Sequence, residues 1–254
     1  MSKIKEKWEY YGKNDPYFAV VTIDKFRKGK LDEVHKQEFF QTGEEHIGKI
    51  WDDITANFTT NFHPQTALDF GCGVGRLVVP LSSRCDKVLG VDISEEMLRE
   101  ARLNSEQKQI NNTEYRQTDL FLSDDRTEFD FVHSFIVFQH INPEIGIGIV
   151  KNIVGKLKDG GIGALHFTYE NKTSKFQAAK FRIYRDFPAV YKAKGAIFGG
   201  AREPLIPMYV YDLNEIFSIL QENKCHKTVV RFSDHGYKGV LIIFQKDKNQ
   251  ALEY

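Results

Sequence analysis

A run of alternating glycines between two short apolar segments constrains the fold of this chain more than any other feature. The run consists of Gly71, Gly73 and Gly75. The apolar segment 66–70 precedes it, and a second one, 87–91, ends at Asp92. Strand, glycine turn, helix, strand and acid are the layout of a nucleoside-binding α/β unit. Glycines let a ligand approach the backbone closely, and the acid can accept two hydrogen bonds from a ribose diol.

The spacing of the glycines indicates which nucleoside is bound. A dinucleotide fingerprint has its third glycine three positions after the second, and Arg76 occupies that position here. The pattern is D-x-G-x-G-x-G, and its acid is Asp69. A carboxylate at this point would repel a pyrophosphate and attract an ammonium group. The motif therefore favours a ligand with an amino-acid end, which points to S-adenosylmethionine (SAM).

Further motifs follow at regular distances, and together they carry a family resemblance. The chain resembles the class I SAM-dependent methyltransferases, in particular the small-molecule O-methyltransferases of bacteria. Their glycine motif matches 67–75, their fourth strand matches 129–134, and their Lys-x-Gly-Gly turn matches 158–161. The resemblance covers roughly 65–170, with a weaker likeness toward the end of the chain.

The resemblance implies a set of cofactor-binding residues around the glycine motif. Asp92 would bind the ribose, although an N-cap for the next helix is the alternative. Asp119 with Leu120 would meet the adenine amine, unless Asp119 is a solvated loop acid. The full predicted set, including the residues that flank the adenine, contact the methionine end or cover the cofactor, is Asp69, Gly71, Cys72, Gly73, Gly75, Arg76, Asp92, Ile93, Met97, Asp119, Leu120, Ser134, Phe135, Trp8, Tyr11 and Tyr17.

Alternating strand and helix patterns predict the fold. The predicted strands are 65–70, 87–91, 113–117, 128–134, 161–169, 225–233 and 239–246, and the predicted helices after residue 61 are 75–83, 94–108, 143–157 and 210–223. Such alternation predicts an α/β fold with a doubly wound, mostly parallel sheet covered by helices on both faces. The resemblance adds that the sheet has seven strands with the last one reversed, as in the class I methyltransferase fold.

The chain of 254 residues is expected to form a single methyltransferase domain. Its predicted parts are a helical N-terminal lid at 1–61, a SAM-binding core at 62–170, a cap insertion at 171–207, and a C-terminal helix with edge strands at 208–254. The aromatic N-terminal segment favours a lid that excludes water from methyl transfer. A helix packed on the sheet is the other interpretation.

Three side chains are predicted to assist proton removal from the methyl acceptor. They are His140, Glu170 and His235. His140 lies in the loop after the fourth strand, which faces the transferred methyl in the family, and an imidazole can take a proton from a hydroxyl. Alternatively, His140 orients this loop by bonding backbone. His133 and His166 lie inside predicted strands and are expected to have packing roles.

Basic residues are concentrated in the cap insertion, in a chain whose formal net charge is +0. Eight lysines and arginines lie in 171–207, against two acids. Guanidinium groups grip phosphates and carboxylates in a bidentate manner, so the predicted substrate-binding residues are Arg182, Arg185 and Arg202. We expect O-methylation of a small anionic acceptor, either phosphorylated, phosphonate-like or linked to a nucleotide or sugar. A merely solvated basic face is the alternative.

Composition narrows the range of partners. Zero net charge argues against a nucleic-acid partner, and no segment approaches the ~20 apolar residues of a membrane span. Three scattered cysteines form no zinc set and suit the cytoplasm. No acid follows the fourth strand, as it does in metal-dependent members of the family, so no metal is predicted. The chain is expected to be a monomer or homodimer.

Other functions remain open at this point. They are a small-molecule N-methyltransferase, an RNA or protein methyltransferase, a SAM-binding protein without activity, and an NAD-dependent oxidoreductase. Arg76 in place of a third glycine argues against the last of these.

Overall fold

The computed structural model describes residues 2–124, 126–171, 183–184, 203–234 and 237–248. Its strands are β1 (Thr66–Phe70), β2 (Lys87–Asp92), β3 (Thr113–Gln117), β4 (Phe129–Ser134), β5 (Leu157–Asn171), β6 (Lys227–Asp234) and β7 (Tyr237–Gln245). Its helices are α1 (Ser2–Asn14), α2 (Pro16–Val20), α3 (Glu33–Asn57), α4 (Val78–Ser82), α5 (Glu95–Gln107), α6 (Thr118–Leu122), α7 (Pro143–Gly155) and α8 (Leu213–Glu222). Among the helices of this described part, none is long and apolar enough to cross a membrane.

The seven strands form one sheet in the order β3-β2-β1-β4-β5-β7-β6. Strands β1 to β5 pair in parallel, whereas β7 runs antiparallel to both β5 and β6. This confirms the predicted doubly wound sheet with a reversed last strand. The strand order changes direction between β1 and β4, which is where such sheets bind ligands.

Helices cover both faces of the sheet. On one face, Ile153 of α7 and Ile219 of α8 belong to the same buried cluster as Phe167 of β5. On the other face, Ile50 of α3 and Leu81 of α4 belong to a second cluster. Burying one such side chain stabilises the fold by roughly 1.5–3 kcal/mol. These two layers hold the carboxyl ends of β1, β2 and β4 in place.

The N-terminal segment packs against the glycine loop and α5. A third buried cluster joins Tyr17 of α2 and Phe39 of α3 to Val74 of the loop and Met97 of α5. A Cβ added at Gly12 of α1 would lie 2.9 Å from Glu96 Cβ, so α1 packs closely on the start of α5. The division into lid, core, cap and C-terminal part stays a prediction.

Some element bounds differ from those predicted. Helix α4 begins at Val78 rather than at residue 75, because Gly75 has a φ of +83° that a helix does not allow. Strand β5 begins at Leu157, earlier than predicted, because Leu157 pairs with Phe129 of β4. Helices α2 and α6 are five residues long, too short to show a helical period in the sequence.

Candidate functional site

The alternating glycines form a tight loop at the carboxyl end of β1. Their φ angles are +79°, +53° and +83° at Gly71, Gly73 and Gly75. Residues with a Cβ rarely adopt such angles, so this loop depends on glycine. The amides of Gly71 and Cys72 donate to the carbonyl of Val91 at 2.7 and 2.9 Å, which holds the loop against β2.

Asp92 connects this loop to helix α5. Its Oδ2 accepts from the amide of Gly73 and its Oδ1 from the amide of Ser94, each at 2.9 Å. Burial raises the pKa of Asp92 to about 6, against the lowering effect of these hydrogen bonds. The N-cap of α5 is Ser94, whose Oγ accepts from the amide of Met97, so the alternative role of Asp92 as N-cap is wrong.

Asp69 is buried between β1 and β4, where its register partner is His133. Its Oδ1 lies 2.8 Å from His133 Nδ1. Its Oδ2 is buried and has no hydrogen-bond partner in the described part of the chain. A buried oxygen left unpaired costs about 1–3 kcal/mol. This geometry suits an ammonium donor from a bound ligand.

His133 continues this network toward α3. Its Nε2 lies 3.2 Å from the Nε2 of His46, which belongs to the middle of α3. The ring of His46 also packs on Phe135, with 3.9 Å between ring centroids. His133 was expected only to pack, and the structure instead places it inside a chain of polar side chains.

Arg76 follows the loop and turns toward α3. Its side chain is buried, and its Nη1 donates to Thr42 Oγ1 at 3.2 Å. A Cβ added at Gly43 would lie 2.3 Å from the carbonyl oxygen of Arg76, so α3 passes directly over this residue. Burial lowers the pKa of Arg76 to about 10, although Asp69 acts in the opposite direction.

The residues predicted to contact the adenine lie near the ends of β2 and β3. Asp119 is in the first turn of α6, directly after β3, and is exposed. Leu120 is 61% exposed. Ile93 follows β2 and is half-buried, whereas Met97 is buried in the cluster under the N-terminal segment.

The segment after β4 lies against the glycine loop. Ser134 is buried, and its Oγ donates to the carbonyl of Phe70 at 2.8 Å. Ile136 has a φ of +60°, which is unusual for a β-branched residue. A Cβ at Gly71 would lie 2.3 Å from Val137 Cγ2, so this glycine is also required by close packing. Backbone outliers of this kind cluster at functional sites.

His140 is held by hydrogen bonds at both ring nitrogens. Its Nδ1 lies 3.1 Å from the carbonyl of Pro207, and its Nε2 lies 3.1 Å from Gln139 Nε2. The Gln139 oxygen accepts from Thr168 Oγ1 at 3.0 Å, so the amide nitrogen is the donor to His140. Burial lowers the pKa of His140 to about 4, against the raising effect of Pro207. The ring is therefore neutral at neutral pH.

A cavity of about 210 Å³ opens beside His140. It is lined by Trp8, Tyr11, Phe18, Ala19, Thr22, His140 and residues 203–206. The ring of Trp8 meets that of His140 edge-on, with centroids 5.4 Å apart. Most of the lining is aromatic or aliphatic, so the cavity suits a planar, largely apolar group.

Trp8, Tyr11 and Tyr17, which were predicted to cover the cofactor, separate into two groups. Trp8 and Tyr11 line the cavity, and the hydroxyl of Tyr11 donates to the carbonyl of Pro204 at 2.9 Å. Tyr17 is buried instead, and its hydroxyl lies 2.8 Å from both Glu100 and Asn104 of α5. Helix α1 is therefore tied to the segment after residue 203, while Tyr17 anchors α2 to α5.

Helix α1 also reaches the start of α5 through Glu9. Its Oε2 accepts from Ser94 Oγ at 2.8 Å and from the amide of Glu96 at 3.1 Å. Its Oε1 accepts from the amide of Glu95 at 3.0 Å. The carboxylate thus satisfies donors that a helix N-terminus leaves free.

Of the remaining predicted catalytic and substrate-binding residues, Glu170 is the one within the described part of the chain, and it does not line the cavity. Glu170 is exposed and forms an ion pair with Lys238 at 2.6 Å. His235, Arg182, Arg185 and Arg202 lie outside the described residues. Within those residues, no group of three or more histidine, cysteine or acidic side chains is arranged to hold a metal ion.

Sequence reasoning missed Glu9 and His46. No local pattern marks Glu9, because its partners lie more than 80 positions further along the chain. A weak signal existed for His46, which precedes Ile47 in the predicted helical segment 1–61. Asp69 and His133 each lie near the end of a predicted strand, and the two are register partners in the sheet. A buried acid and imidazole on adjacent strands would be expected to find further polar partners.

Residues 67–161 match the family model described as a methyltransferase domain. A ubiquinone biosynthesis O-methyltransferase of Acinetobacter baylyi is 34% identical over 96 residues, which are 37% of this chain and 40% of that protein. An uncharacterized RNA methyltransferase of Chlorobaculum tepidum is 30% identical over 96 residues, which are 37% of this chain and 20% of that protein. The chain thus spans less than half the length of these relatives.

The fold also resembles a solved structure over nearly its whole length. The magnesium protoporphyrin IX methyltransferase of Synechocystis, crystallised with bound S-adenosylhomocysteine, superposes with a TM-score of 0.62 at 21% identity. The match covers 97% of this chain and 99% of that one. At this identity the likeness concerns the fold.

Proposed function

We propose that this chain, whose residues 67–161 match a methyltransferase domain, transfers the methyl group of SAM to a small-molecule acceptor. The observation that carries the proposal is the glycine loop with Asp69 and Asp92 at the switch point of the sheet. S-adenosylhomocysteine is the expected product. The sulfonium supplies the leaving-group chemistry, and the protein holds donor and acceptor in line.

The donor groups of SAM match the acceptors in this site. The unpaired Oδ2 of Asp69 suits the ammonium of the methionine end. Asp92 suits the ribose diol, whose hydroxyls would compete with the amides of Gly73 and Ser94 for its oxygens. Asp119 and Leu120 are exposed at the neighbouring strand end and are proposed to meet the adenine.

The cavity beside His140 is the proposed acceptor pocket. Its aromatic lining suits the reacting end of the acceptor. The His140 ring is neutral, so its Nε2 can accept a proton once an acceptor hydroxyl takes the place of the Gln139 amide. With the acceptor hydroxyl bound at Nε2, His140 would act as a general base during methyl transfer.

The finer proposal is O-methylation of an anionic acceptor. The O-methyltransferase relative supports the choice of oxygen. The anionic character rests on the eight basic residues of 171–207, among them Arg182, Arg185 and Arg202. An acceptor with an apolar ring and an anionic substituent would satisfy both the cavity and these arginines.

The test is turnover of SAM with a panel of hydroxylated ring compounds, each with and without a carboxylate or phosphate. Formation of S-adenosylhomocysteine is followed by chromatography. We expect the wild-type protein to turn over the anionic members of the panel. In Arg182→Glu and Arg185→Glu, the KM for these acceptors should be higher and the KM for SAM unchanged. Equal turnover of neutral compounds contradicts the anionic proposal. SAM binding without turnover of any acceptor favours a SAM-binding protein without activity.

A further inference from the structure

A continuous series of hydrogen bonds orients the ring of His140 and the side-chain amide beside it. His140 Nδ1 lies 3.1 Å from the carbonyl oxygen of Pro207, and His140 Nε2 lies 3.1 Å from Gln139 Nε2. At the other end of the series, Thr168 Oγ1 lies 3.0 Å from Gln139 Oε1. Gln139 and Thr168 are both buried, so these hydrogen bonds are shielded from bulk water.

The direction of every hydrogen bond in the series follows from the carbonyl of Pro207. A carbonyl oxygen only accepts, so the proton of the neutral His140 ring lies on Nδ1, and Nε2 has a free lone pair. That lone pair requires a donor, so the nitrogen of the Gln139 amide faces it. The amide oxygen then accepts from the Thr168 hydroxyl. An N–H of Gln139 is therefore directed at the atom that is proposed to take the acceptor's proton.

The backbone around Gln139 is also held in place. The amide of Tyr209 donates to the carbonyl oxygen of Gln139 at 2.7 Å. The amide of Tyr211 donates to the carbonyl oxygen of Thr168 at 2.8 Å. When an acceptor hydroxyl replaces Gln139 at His140 Nε2, the Gln139 amide therefore stays near the same point. Its buried N–H then lacks a partner, which is unfavourable, unless it donates to the oxygen that displaced it.

We propose that Gln139 is a specificity-determining residue that selects oxygen over nitrogen as the atom to be methylated, and that Thr168 is a positioning residue that acts through Gln139. The inference rests on the proposed function. A hydroxyl oxygen has two lone pairs, so it can accept from Gln139 with one and attack the methyl carbon with the other. The hydroxyl proton passes to His140 Nε2, and the electron pair of the broken carbon–sulfur bond stays on sulfur.

A neutral amine meets the same groups with a different result. Its N–H can donate to His140 Nε2, but its nitrogen has a single lone pair, which is needed for attack on the methyl carbon. A hydrogen bond from Gln139 to that nitrogen would occupy the lone pair. Without this hydrogen bond, the Gln139 N–H stays buried and unpaired. An amine therefore loses either its nucleophilic electron pair or a hydrogen bond, whereas a hydroxyl loses neither.

Pairs of acceptors that differ only in the reacting atom test this selection. Hydroxybenzoates and the corresponding aminobenzoates share a ring and a carboxylate, and the aromatic amine is neutral at neutral pH. The measured quantity is the ratio of kcat/KM for the hydroxyl compound to kcat/KM for the amine, from transfer of a labelled methyl group. We expect this ratio to fall about 10–100-fold in Gln139→Leu and in Thr168→Val, the effect of one hydrogen bond to a charged or developing anion.

Two further variants separate the proposed role from a structural one. Thr168→Ser keeps the hydroxyl that orients the amide, so it should restore the wild-type ratio. Tyr211→Phe is the matched control, because the Tyr211 hydroxyl donates to the carbonyl of Ile141 at 2.9 Å in the same loop but is not a member of the series. Its ratio should equal that of the wild type. A purely structural role of Gln139 would slow both acceptors equally and leave the ratio unchanged.

A second measurement needs no acceptor. In protein whose histidines are labelled with nitrogen-15, nuclear magnetic resonance distinguishes protonated ring nitrogens from bare ones, and His140→Ala identifies the signals of His140. We expect a proton on Nδ1 and a bare Nε2 at neutral pH. A proton on Nε2 would reverse the direction of the series and overturn the inference, whatever the turnover.

The outcomes distinguish this inference from the proposed function. Absence of turnover of every hydroxylated compound refutes the proposed function and, with it, this inference. Turnover with an unchanged ratio in Gln139→Leu and Thr168→Val, or with amine methylation undetected in both, refutes this inference alone. Should Gln139→Leu fail to fold, Thr168→Val and Thr168→Ser decide the test, because valine keeps the branched shape of threonine.

Discussion

The carboxylate of Glu9 is predicted to stabilise the docking of helix α1 onto helix α5. It accepts from Ser94 Oγ and from the amides of Glu95 and Glu96, at 2.8, 3.0 and 3.1 Å. Glu9→Ala removes all three hydrogen bonds, and Glu9→Gln keeps an acceptor oxygen but removes the charge. Glu6 is the matched control, because it also belongs to α1, lines the same surface cleft between α1 and α5 as Glu9, and is exposed.

The magnitude follows from the geometry. Hydrogen bonds to a charged acceptor contribute about 1.5–3 kcal/mol when buried, and a negative charge at a helix N-terminus adds about 0.3–1 kcal/mol. Glu9 is only half-buried, so water recovers part of this stabilising free energy by hydrogen-bonding to the donors of α5 when the side chain is lost. We therefore expect Glu9→Ala to lower the free energy of unfolding by about 1–2 kcal/mol, and Glu9→Gln by about half as much.

The pH dependence of this contribution has a definite sign. Burial acts to raise the pKa of Glu9, but the hydrogen bonds from α5 outweigh it, and the pKa lies below its ordinary value of 4.5. An acid with a lowered pKa stabilises the folded state above its unfolded pKa and loses that contribution as pH falls through its folded pKa. The difference between wild type and Glu9→Ala should therefore be full at pH 7 and shrink below about pH 4.5.

Urea unfolding followed by circular dichroism measures these differences. Thermal unfolding should show a fall in Tm of about 2–4 °C for each kcal/mol. Glu6→Ala should change the free energy of unfolding by less than about 0.5 kcal/mol, as is usual for an exposed position. If Glu9→Ala and Glu6→Ala are equally stable at pH 7, the capping of α5 by α1 is refuted.

Three further predictions concern the site itself. Asp92→Ala should weaken SAM binding by about 1–3 kcal/mol through loss of charge-assisted hydrogen bonds; unchanged affinity in a folded variant, by calorimetry, would remove the ribose assignment. His140→Ala should lower kcat by roughly 10²–10⁴ with little change in the Kd of SAM; a near-full rate would return His140 to a structural role through its hydrogen bonds to Pro207 and Gln139. Turnover should survive EDTA, because the described residues hold no metal-ligand cluster; loss on chelation with recovery in Mg²⁺ would contradict this.

Prediction from sequence was most accurate where the physical cause is local. The glycine loop, the acid at the end of β2 and the seven strands were all predicted, because apolar runs and turn-forming residues act over a few neighbours. The boundary errors have local causes too. Gly75, with its positive φ, delays the start of α4, and α2 and α6 are too short to reveal a period.

The sequence by itself determined the order of elements and the motif at the switch point of the sheet. Only the tertiary structure decided which distant side chains complete that site. Glu9 meets Ser94 across 85 positions and His46 meets His133 across 87. Such contacts depend on how α1 and α3 dock on the sheet and on α5, which is set by the packing of whole helix faces.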